Sequence, residues 1–296
     1  LIVFKGELKE MLRKQLKNTL RCGNQLIEVS KPLVMGIINA TPDSFYEPGR
    51  TNNSAEKALE MASRMIDEGA AFLDIGGMST RPGATEIPLN EELERVIPVI
   101  EAIHAGFPGA VISVDTYRAT VAEEAIRVGA TMVNDISGGQ WDDDLLGVVA
   151  KHQVAYVAMH IKGTPENMQQ HTDYHDVVSD VLKYFVNKIS ILERAGIEDV
   201  LLDPGFGFAK TMEQNYRLID RLGTFRLLGK PLLIGLSRKS TISKTIGRSA
   251  EETLEATTAL HMIALQNGAS ILRVHDVRPA MDAIAVYNQL VAASVN

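Results

Sequence analysis

The chain has 296 residues, 45% hydrophobic and 23% charged, which suits a folded globular protein and excludes a disordered or collagen-like one. Thirty basic against thirty-seven acidic residues leave a net charge of -7, which argues against nucleic acid as a partner and requires the cations of any anion site to be gathered locally. With one cysteine, Cys22, an intrachain disulfide and a cysteine zinc cluster are both excluded, a usage that fits the reducing cytoplasm, and no apolar stretch nears the ~20 residues of a membrane helix.

In chain order, residues 1–17 mix Lys and Arg with Leu and Met and read as a short solvated leader, set apart from a single unit over 18–296. Residues 18–30 can form a hairpin, with Cys22 as an inert small residue near a strand. From Pro32 onward, short apolar and β-branched runs alternate with stretches of helical period. The runs are 33–38, 72–75, 111–114, 131–133, 154–159, 200–202, 232–236 and 270–274. The helical stretches are 54–68, 91–105, 120–128, 143–152, 174–195, 212–222, 250–266 and 279–292. Val178, Leu182, Phe185, Ile189 and Leu192 place one apolar face on the fifth. Gly69, Gly129, Gly196 and Gly268 stand where a helix end needs a left-handed residue. Eight strands alternating with eight helices predict an α/β fold, a TIM (β/α)8 barrel in one domain, with the hairpin plugging its floor.

In such a barrel the chemistry gathers where the strands end. The runs end in turn on Asn39, Asp74, Asp115, Asn134-Asp135, His160, Asp203, Ser237-Arg238-Lys239-Ser240 and Arg273 with His275 and Asp276. Asp115, Asn134 and Asp203 offer the acceptors and the amide that a flat heterocycle with amide and guanidine-like edges requires. Asn39, Arg273, His275 and Arg81 suit an anionic leaving group, with magnesium (Mg2+) as the natural companion of pyrophosphate. Asp74 reads better as an interior hydrogen-bonding residue, and Asp135 and Asp276 as supporting or surface residues. Lys239 suits either a Schiff base or a fixed cation, and its neighbours Arg238 and Ser240 favour the cation. A short helix from Thr241 would follow it.

Two Pro/Gly-bearing loops, Thr41-Pro42-Asp43-Ser44-Phe45 and Ser79-Thr80-Arg81-Pro82-Gly83, read as covers over the mouth. Asp203-Pro204-Gly205-Phe206-Gly207-Phe208 lacks the glycine spacing of a phosphate loop, which Lys210 breaks. His171 and His175 read as exposed, His104, His152 and His261 as helix surface or packing, and Met61, Met65, Met262 and Met281 as core filler. Trp141 with Asp142, Asp143 and Asp144 reads as a helix start.

Met35-Gly36-Ile37-Ile38-Asn39-Ala40-Thr41-Pro42-Asp43-Ser44-Phe45 and Asp74-Ile75-Gly76-Gly77-Met78-Ser79-Thr80-Arg81-Pro82-Gly83 resemble the two signatures of the dihydropteroate synthases. Ser113-Val114-Asp115-Thr116, Asn134-Asp135-Ile136, Leu202-Asp203-Pro204-Gly205-Phe206-Gly207-Phe208, Ser237-Arg238-Lys239-Ser240 and Arg273-Val274-His275-Asp276-Val277 resemble its later blocks, in order. The likeness spans roughly 20–291. It implies a transferase of folate biosynthesis that joins para-aminobenzoate to 6-hydroxymethyl-7,8-dihydropterin diphosphate and releases pyrophosphate. Because an electron-rich dihydropterin can delocalise a methylene cation, the displacement is expected to be dissociative, SN1-like.

By the same resemblance Asp115, Asn134, Asp203 and Lys239 hold the pterin, and Arg273 packs along it and binds the diphosphate with His275. Asp115, Asp203, Lys239, Arg273 and His275 form the implied catalytic set. Asn39 is the implied magnesium ligand; Thr80 touches the diphosphate, with Arg81 among the expected substrate contacts; Ser240, Phe45 and Pro82 frame para-aminobenzoate. Ile136, Met159, Phe208 and Val274 complete the implied substrate contacts, and a homodimer is the family expectation. The sequence departs from the family at Met78, usually Glu, and at Tyr46-Glu47-Pro48-Gly49. A methyltetrahydrofolate-type methyltransferase barrel would not need the Ser237–Ser240 block, and a silent pterin-binding homologue should have lost Asn39, Lys239, Arg273 or His275. An aldolase would trap covalently at Lys239.

Overall fold

Side chains alternate across a strand, so each apolar run must bury two faces at once, and a barrel ringed by helices supplies both. A computed structural model describes residues 19–41, 52–81 and 83–294. Its chain order begins with β1 (Thr19–Cys22), β2 (Gln25–Glu28), β3 (Leu33–Asn39), α1 (Asn52–Asp67), β4 (Phe72–Gly76), α2 (Leu89–Gly106) and β5 (Val111–Asp115). It continues with α3 (Ala119–Arg127), β6 (Met132–Asp135), α4 (Leu145–His152), β7 (Ala155–Met159), α5 (Val177–Arg194), β8 (Val200–Asp203) and α6 (Met212–Asp220). It ends with β9 (Leu233–Ile234), α7 (Ser240–Ile246), α8 (Leu254–Gln266), β10 (Ile271–Val274) and α9 (Val277–Ala293).

The eight strands β3 to β10 pair in parallel in the order β8-β7-β6-β5-β4-β3-β10-β9, and a bridge between Leu202 and Leu232 joins the two ends. The expected barrel is therefore the observed one. Val34, Leu73, Ile112, Val133, Tyr156 and Leu272 face outward under the helices. The alternate residues Met35, Phe72, Val111, Met132, Leu201 and Ile271 fill the lower interior. The expected hairpin is β1–β2, paired from Thr19–Glu28 to Cys22–Gln25, and it inserts Leu20 and Cys22 into that interior layer. Asp199, just before β8, receives the Arg21 backbone N–H at 2.9 Å and fixes the hairpin to the barrel floor.

Gly69, Gly129, Gly196 and Gly268 all have positive φ, as the helix ends demand. At Gly129 (φ +124) a Cβ would stand 2.4 Å from the His104 ring, so shape as well as backbone conformation requires glycine.

Several boundaries differ from those the sequence suggests. The strand expected over 232–236 is only Leu233–Ile234, because the chain turns away through a Lys239 N–H bond to the Leu236 carbonyl and a left-handed Arg238 (φ 56). The helix expected over 250–266 is split: Ser249 and Glu252 form a capping box on a short 3-10 turn, and α8 starts afresh at Leu254. The stretch 212–222 ends as α6 at Asp220 and passes into the 3-10 turns of Leu222–Leu228. Asp176 accepts the Ser179 N–H at 2.9 Å and starts α5 at Val177, three residues later than expected. Asp142, Asp143 and Asp144 precede α4 as expected, with Asp142 Oδ1 accepting the Asp144 N–H at 3.1 Å; its Oδ2 also accepts the Ala119 N–H that opens α3, at 2.7 Å. The leader at 1–17 and the first mouth loop beyond Thr41, with Phe45, lie outside the described residues, as does Pro82.

Burial, helped by the nearby Asp199 charge, pushes the Cys22 thiol up to about 12. Native protein at pH 8 should therefore react with a thiol reagent only after denaturation. Leu20→Ala, which should cost about 3 kcal/mol, should open Cys22 to labelling at lower urea; prompt native labelling would contradict a sealed floor.

Candidate active site

Two residues above the apolar layer, the same alternation turns Asp74, Ser113, Asn134, Met159, Asp203 and Arg273 toward the barrel mouth. Arg273 divides its guanidinium there. Its Nε donates to Asp74 Oδ2 at 2.6 Å and its Nη2 to Asp115 Oδ2 at 2.6 Å. Asn134 Nδ2 also donates to Asp74 Oδ2, at 2.9 Å. Asp74 is thus both an interior hydrogen-bonding residue, as its position suggests, and the anchor of the central cation. Asp74 Oδ1 and its register neighbour Ser113 Oγ are buried with no hydrogen-bond partner among the described residues, so the wall keeps polar capacity for a ligand.

Charge balance sets the electrostatics. Burial raises the Asp115 carboxyl to about 7, against the pull of Arg273 and with a further push from Asp74, Glu92 and Asp135. Burial also raises Asp203, opposed by Lys239, Arg273 and Lys210. Burial lowers Lys239 to about 8, and Asp203 resists that shift. Arg273 stays a cation, raised by Asp74 and Asp115 against its desolvation. Burial followed by the charges of Arg273 and Arg238 lowers His275 to about 4, with Arg81 adding to the effect and Asp276 opposing it. His275 is therefore a neutral donor or acceptor at pH 7, set among three guanidinium charges.

Lys239 donates to the Phe206 carbonyl and its Nζ lies 4.5 Å from the Phe208 ring centroid, the setting of a fixed cation. Arg238 grips Asp276 through Nη2–Oδ1 at 2.8 Å and Nε–Oδ2 at 3.2 Å, and so clasps the loop carrying Lys239 to the one carrying His275. The Asp203–Phe208 loop is no phosphate cradle. Its Gly205 N–H donates to Asp203 Oδ1 at 2.8 Å and its Gly207 N–H to Asn215 Oδ1 at 2.7 Å.

Ile136, Met159 and Phe208 form an apolar cluster beside these charges. Asn39 ends β3, half-buried, beside Gly76. Thr80 is half-buried, Arg81 exposed, and Ser240 exposed at the start of α7. The second mouth loop is tied across the mouth by the Gly83 N–H, which donates to the Pro165 carbonyl at 3.0 Å. Val274 is not brought to the mouth: its side chain lies in the layer between barrel and helices. Asp135 also points outward, accepting the Tyr156 hydroxyl at 2.6 Å and the Ser137 N–H at 2.7 Å. Met78 stands 4.0 Å from the Tyr117 hydroxyl, which donates to Glu86 at 2.5 Å.

Two residues to which the sequence assigns no site role support the site. Glu92, fully buried on α2, accepts from Thr116 Oγ1 at 2.7 Å and from Arg118 at 2.8 Å, and so braces the chain just after Asp115. Lys210, also buried, binds behind the Asp203 loop. The only signal for either was a charged residue in an otherwise helical or glycine-rich stretch. A cavity of about 770 Å³ opens beside the mouth between Trp141, His160 and Tyr174, but its Lys162 is already bound to the Asp173 carbonyl at 2.6 Å.

Comparison with known proteins points the same way. The family model described as "Pterin binding enzyme" matches residues 35–275. The dihydropteroate synthase of Escherichia coli K12 is 43% identical over 272 residues, 91% of this chain and 95% of that protein. Among solved structures, a Xanthomonas albilineans dihydropteroate synthase with 4-aminobenzoic acid is 41% identical with a TM-score of 0.86, covering 93% of this chain and 98% of that one. A structure from the same organism in complex with 7,8-dihydropteroate is 38% identical with a TM-score of 0.83, covering 93% of this chain and 99% of that one. By sequence, fold and the order of its strand-end residues, this chain belongs to the dihydropteroate synthases, a family of pterin-binding enzymes.

Proposed function

We infer that the chain catalyses its family's transferase reaction, joining para-aminobenzoate to 6-hydroxymethyl-7,8-dihydropterin diphosphate to give 7,8-dihydropteroate and pyrophosphate. The observation that carries this reading is the arrangement around Arg273. Acceptors and an amide for a flat heterocycle (Asp115, Asn134, Asp203) lie beside cations for a diphosphate, within one apolar-sided well.

In this reading Asp115, Asn134 and Asp203 hold the polar edge of the pterin, and Lys239 and Phe208 hold its ring. Arg273, His275 and Arg81 take the diphosphate oxygens, with Thr80 beside them. Ser240, Phe45 and Pro82 frame the aminobenzoate. The arylamine nitrogen is unprotonated at neutral pH and needs no strong base. The bond from methylene carbon to diphosphate oxygen breaks, pyrophosphate leaves with the electron pair, and the amine nitrogen bonds to the carbon and then loses its proton. Arg273 and His275 stabilise the leaving charge, while Asp203 favours positive charge developing on the pterin, so displacement is SN1-like.

Magnesium fits the donor set at Asn39. A carboxamide is a hard oxygen ligand, and magnesium that arrives with a diphosphate needs few protein ligands. When bound it supplies Lewis-acid neutralisation of the leaving group. A cytoplasmic homodimer completes the proposal. Ile263 on α8, 43% exposed, and Val286 and Leu290 on α9, 55% and 51% exposed, offer apolar side chains for a second copy.

With magnesium and both substrates, pyrophosphate and dihydropteroate should form in equal amounts, and Lys239→Ala or Arg273→Ala should each lower kcat/KM by roughly a hundredfold or more. Bound pterin without turnover would instead favour a silent homologue. The pH dependence follows from the charges. Asp115 must lose its proton to accept from the pterin, and Lys239 must keep its own. The kcat/KM for the pterin substrate should then rise to about pH 7, fall above about pH 8 and peak between. Asp115→Asn should flatten the acid limb. A secondary isotope effect near unity at the reacting methylene would count against dissociative displacement.

A further inference from the structure

We propose that Lys210 is a positioning residue for pterin capture, holding the Asp203–Phe208 loop from behind while Lys239 holds it from the front. The proposal rests on the functional reading above and concerns a residue that reading leaves idle.

Lys210 is 3% exposed, and its Nζ lies 3.0 Å from the Gly205 carbonyl, 2.9 Å from the Phe208 carbonyl and 3.1 Å from His160 Nδ1. The His160 carbonyl is a fourth neighbour at 3.5 Å, so in its ammonium form Lys210 shares three N–H donors among four acceptors. Burial lowers it to about 7, with Asp203 resisting and Lys239 and Lys162 adding to the shift. Facing the ammonium form of Lys210, His160 Nδ1 serves as an acceptor and the ring proton sits on Nε2. Burial and the neighbouring lysine charges hold it neutral, lowered to about 2. His160 is therefore part of a cradle rather than an acid or base.

The loop between the two lysines explains its own glycines. A Cβ on Gly207 would stand 3.0 Å from Lys239 Cδ, and one on Gly205 would stand 2.0 Å from the His160 carbonyl oxygen and 3.2 Å from Lys210 Nζ. Carbonyls 205 and 208 turn back to Lys210, and carbonyl 206 turns forward to Lys239. The Gly205 N–H meanwhile holds Asp203 Oδ1. Without the Lys210 ammonium, two buried carbonyls lose their donor. The turn that aims the Asp203 carboxylate and the Phe208 ring would relax with them.

Asp203 faces three cations, Lys239, Arg273 and Lys210, while Asp74 and Asp115 occupy Arg273. Lys210 thus also supplies charge to Asp203 from the side away from substrate. The Ser240 side chain, at the start of α7, makes no hydrogen bond to Lys210, His160 or the loop carbonyls they hold, so the effect should fall mainly on the pterin.

The test uses the full chain, with dihydropterin diphosphate and magnesium as probe. Lys210→Met keeps the stem and removes the donors. In calorimetry without para-aminobenzoate it should weaken binding by about 30-fold, the scale of lost charged hydrogen bonds. In turnover the KM for the pterin should rise, kcat should fall as well because Asp203 also favours the charge developing during displacement, and the KM for para-aminobenzoate should stay unchanged. If the two residues act as one unit, Lys210→Met combined with Asp203→Asn should cost clearly less than the product of the single losses. Binding within threefold of the unsubstituted chain, or a parallel rise in both KM values, would overturn the proposal. Should Lys210→Met not fold, His160→Phe keeps the ring packing and removes one acceptor. A fall of about fivefold in pterin affinity with the same KM split supports the proposal, and no change overturns it. Failure of the unsubstituted chain to bind the probe would overturn the functional reading, and this proposal with it.

Discussion

Arg273 reaches into the barrel and divides its guanidinium between carboxylates on two adjacent strands, Asp74 of β4 and Asp115 of β5. Isolated, each of those charges would cost several kcal/mol to bury. Shared, they form a polar floor directly on the apolar layer of Met35, Phe72 and Ile271. Asn134 joins through Asp74, so three strands and β10 are held in register by side chains as well as by backbone. The rest of the mouth follows from this balance. Asp203 needs its own cations, supplied by two lysines, and His275 stays neutral because it is buried and sits among positive charge.

The same balance makes the centre responsive to a ligand. One oxygen of Asp74 and the hydroxyl of Ser113 remain unsatisfied beside the guanidinium. Asp115 is held close to the point of proton exchange at neutral pH. An incoming group with complementary donors would complete these bonds rather than compete with finished ones, which is the usual way a preformed polar pocket gains selectivity.

Much of this was legible in the sequence because a barrel strand obeys a two-residue period. Once the apolar runs are fixed, the polar residue ending each one must stand at the mouth, which located Asp115, Asn134, Asp203, Lys239 and Arg273 without coordinates. The rule also exposes one error of detail: Val274, between the inward Arg273 and His275, has to face the helices. Where local chemistry outweighs periodicity, the reading was poorer. Strand β9 is cut to two residues by the turn at Leu236, and Asp142, at its own helix start, bonds the start of α3 as well, which no local pattern shows. Lys210 was hidden for a different reason. Its burial is decided by how a glycine loop folds back on β7, and nothing in residue spacing records which way three carbonyls will point.

The β1–β2 hairpin has a consequence for traffic. With Leu20 and Cys22 wedged into the lower interior, the floor of the well is closed, and among the described residues the way in lies on the opposite face, where the strands end. Two molecules that share a blind well are loaded in order of depth. In the proposed arrangement a group resting against Asp115 and Asp203 lies deeper than one near Ser240, so the deeper one would load first and leave last. Queueing of this kind needs no moving gate and no signal between sites; it is a property of plumbing, set by a strip of chain on the far side of the molecule from the chemistry.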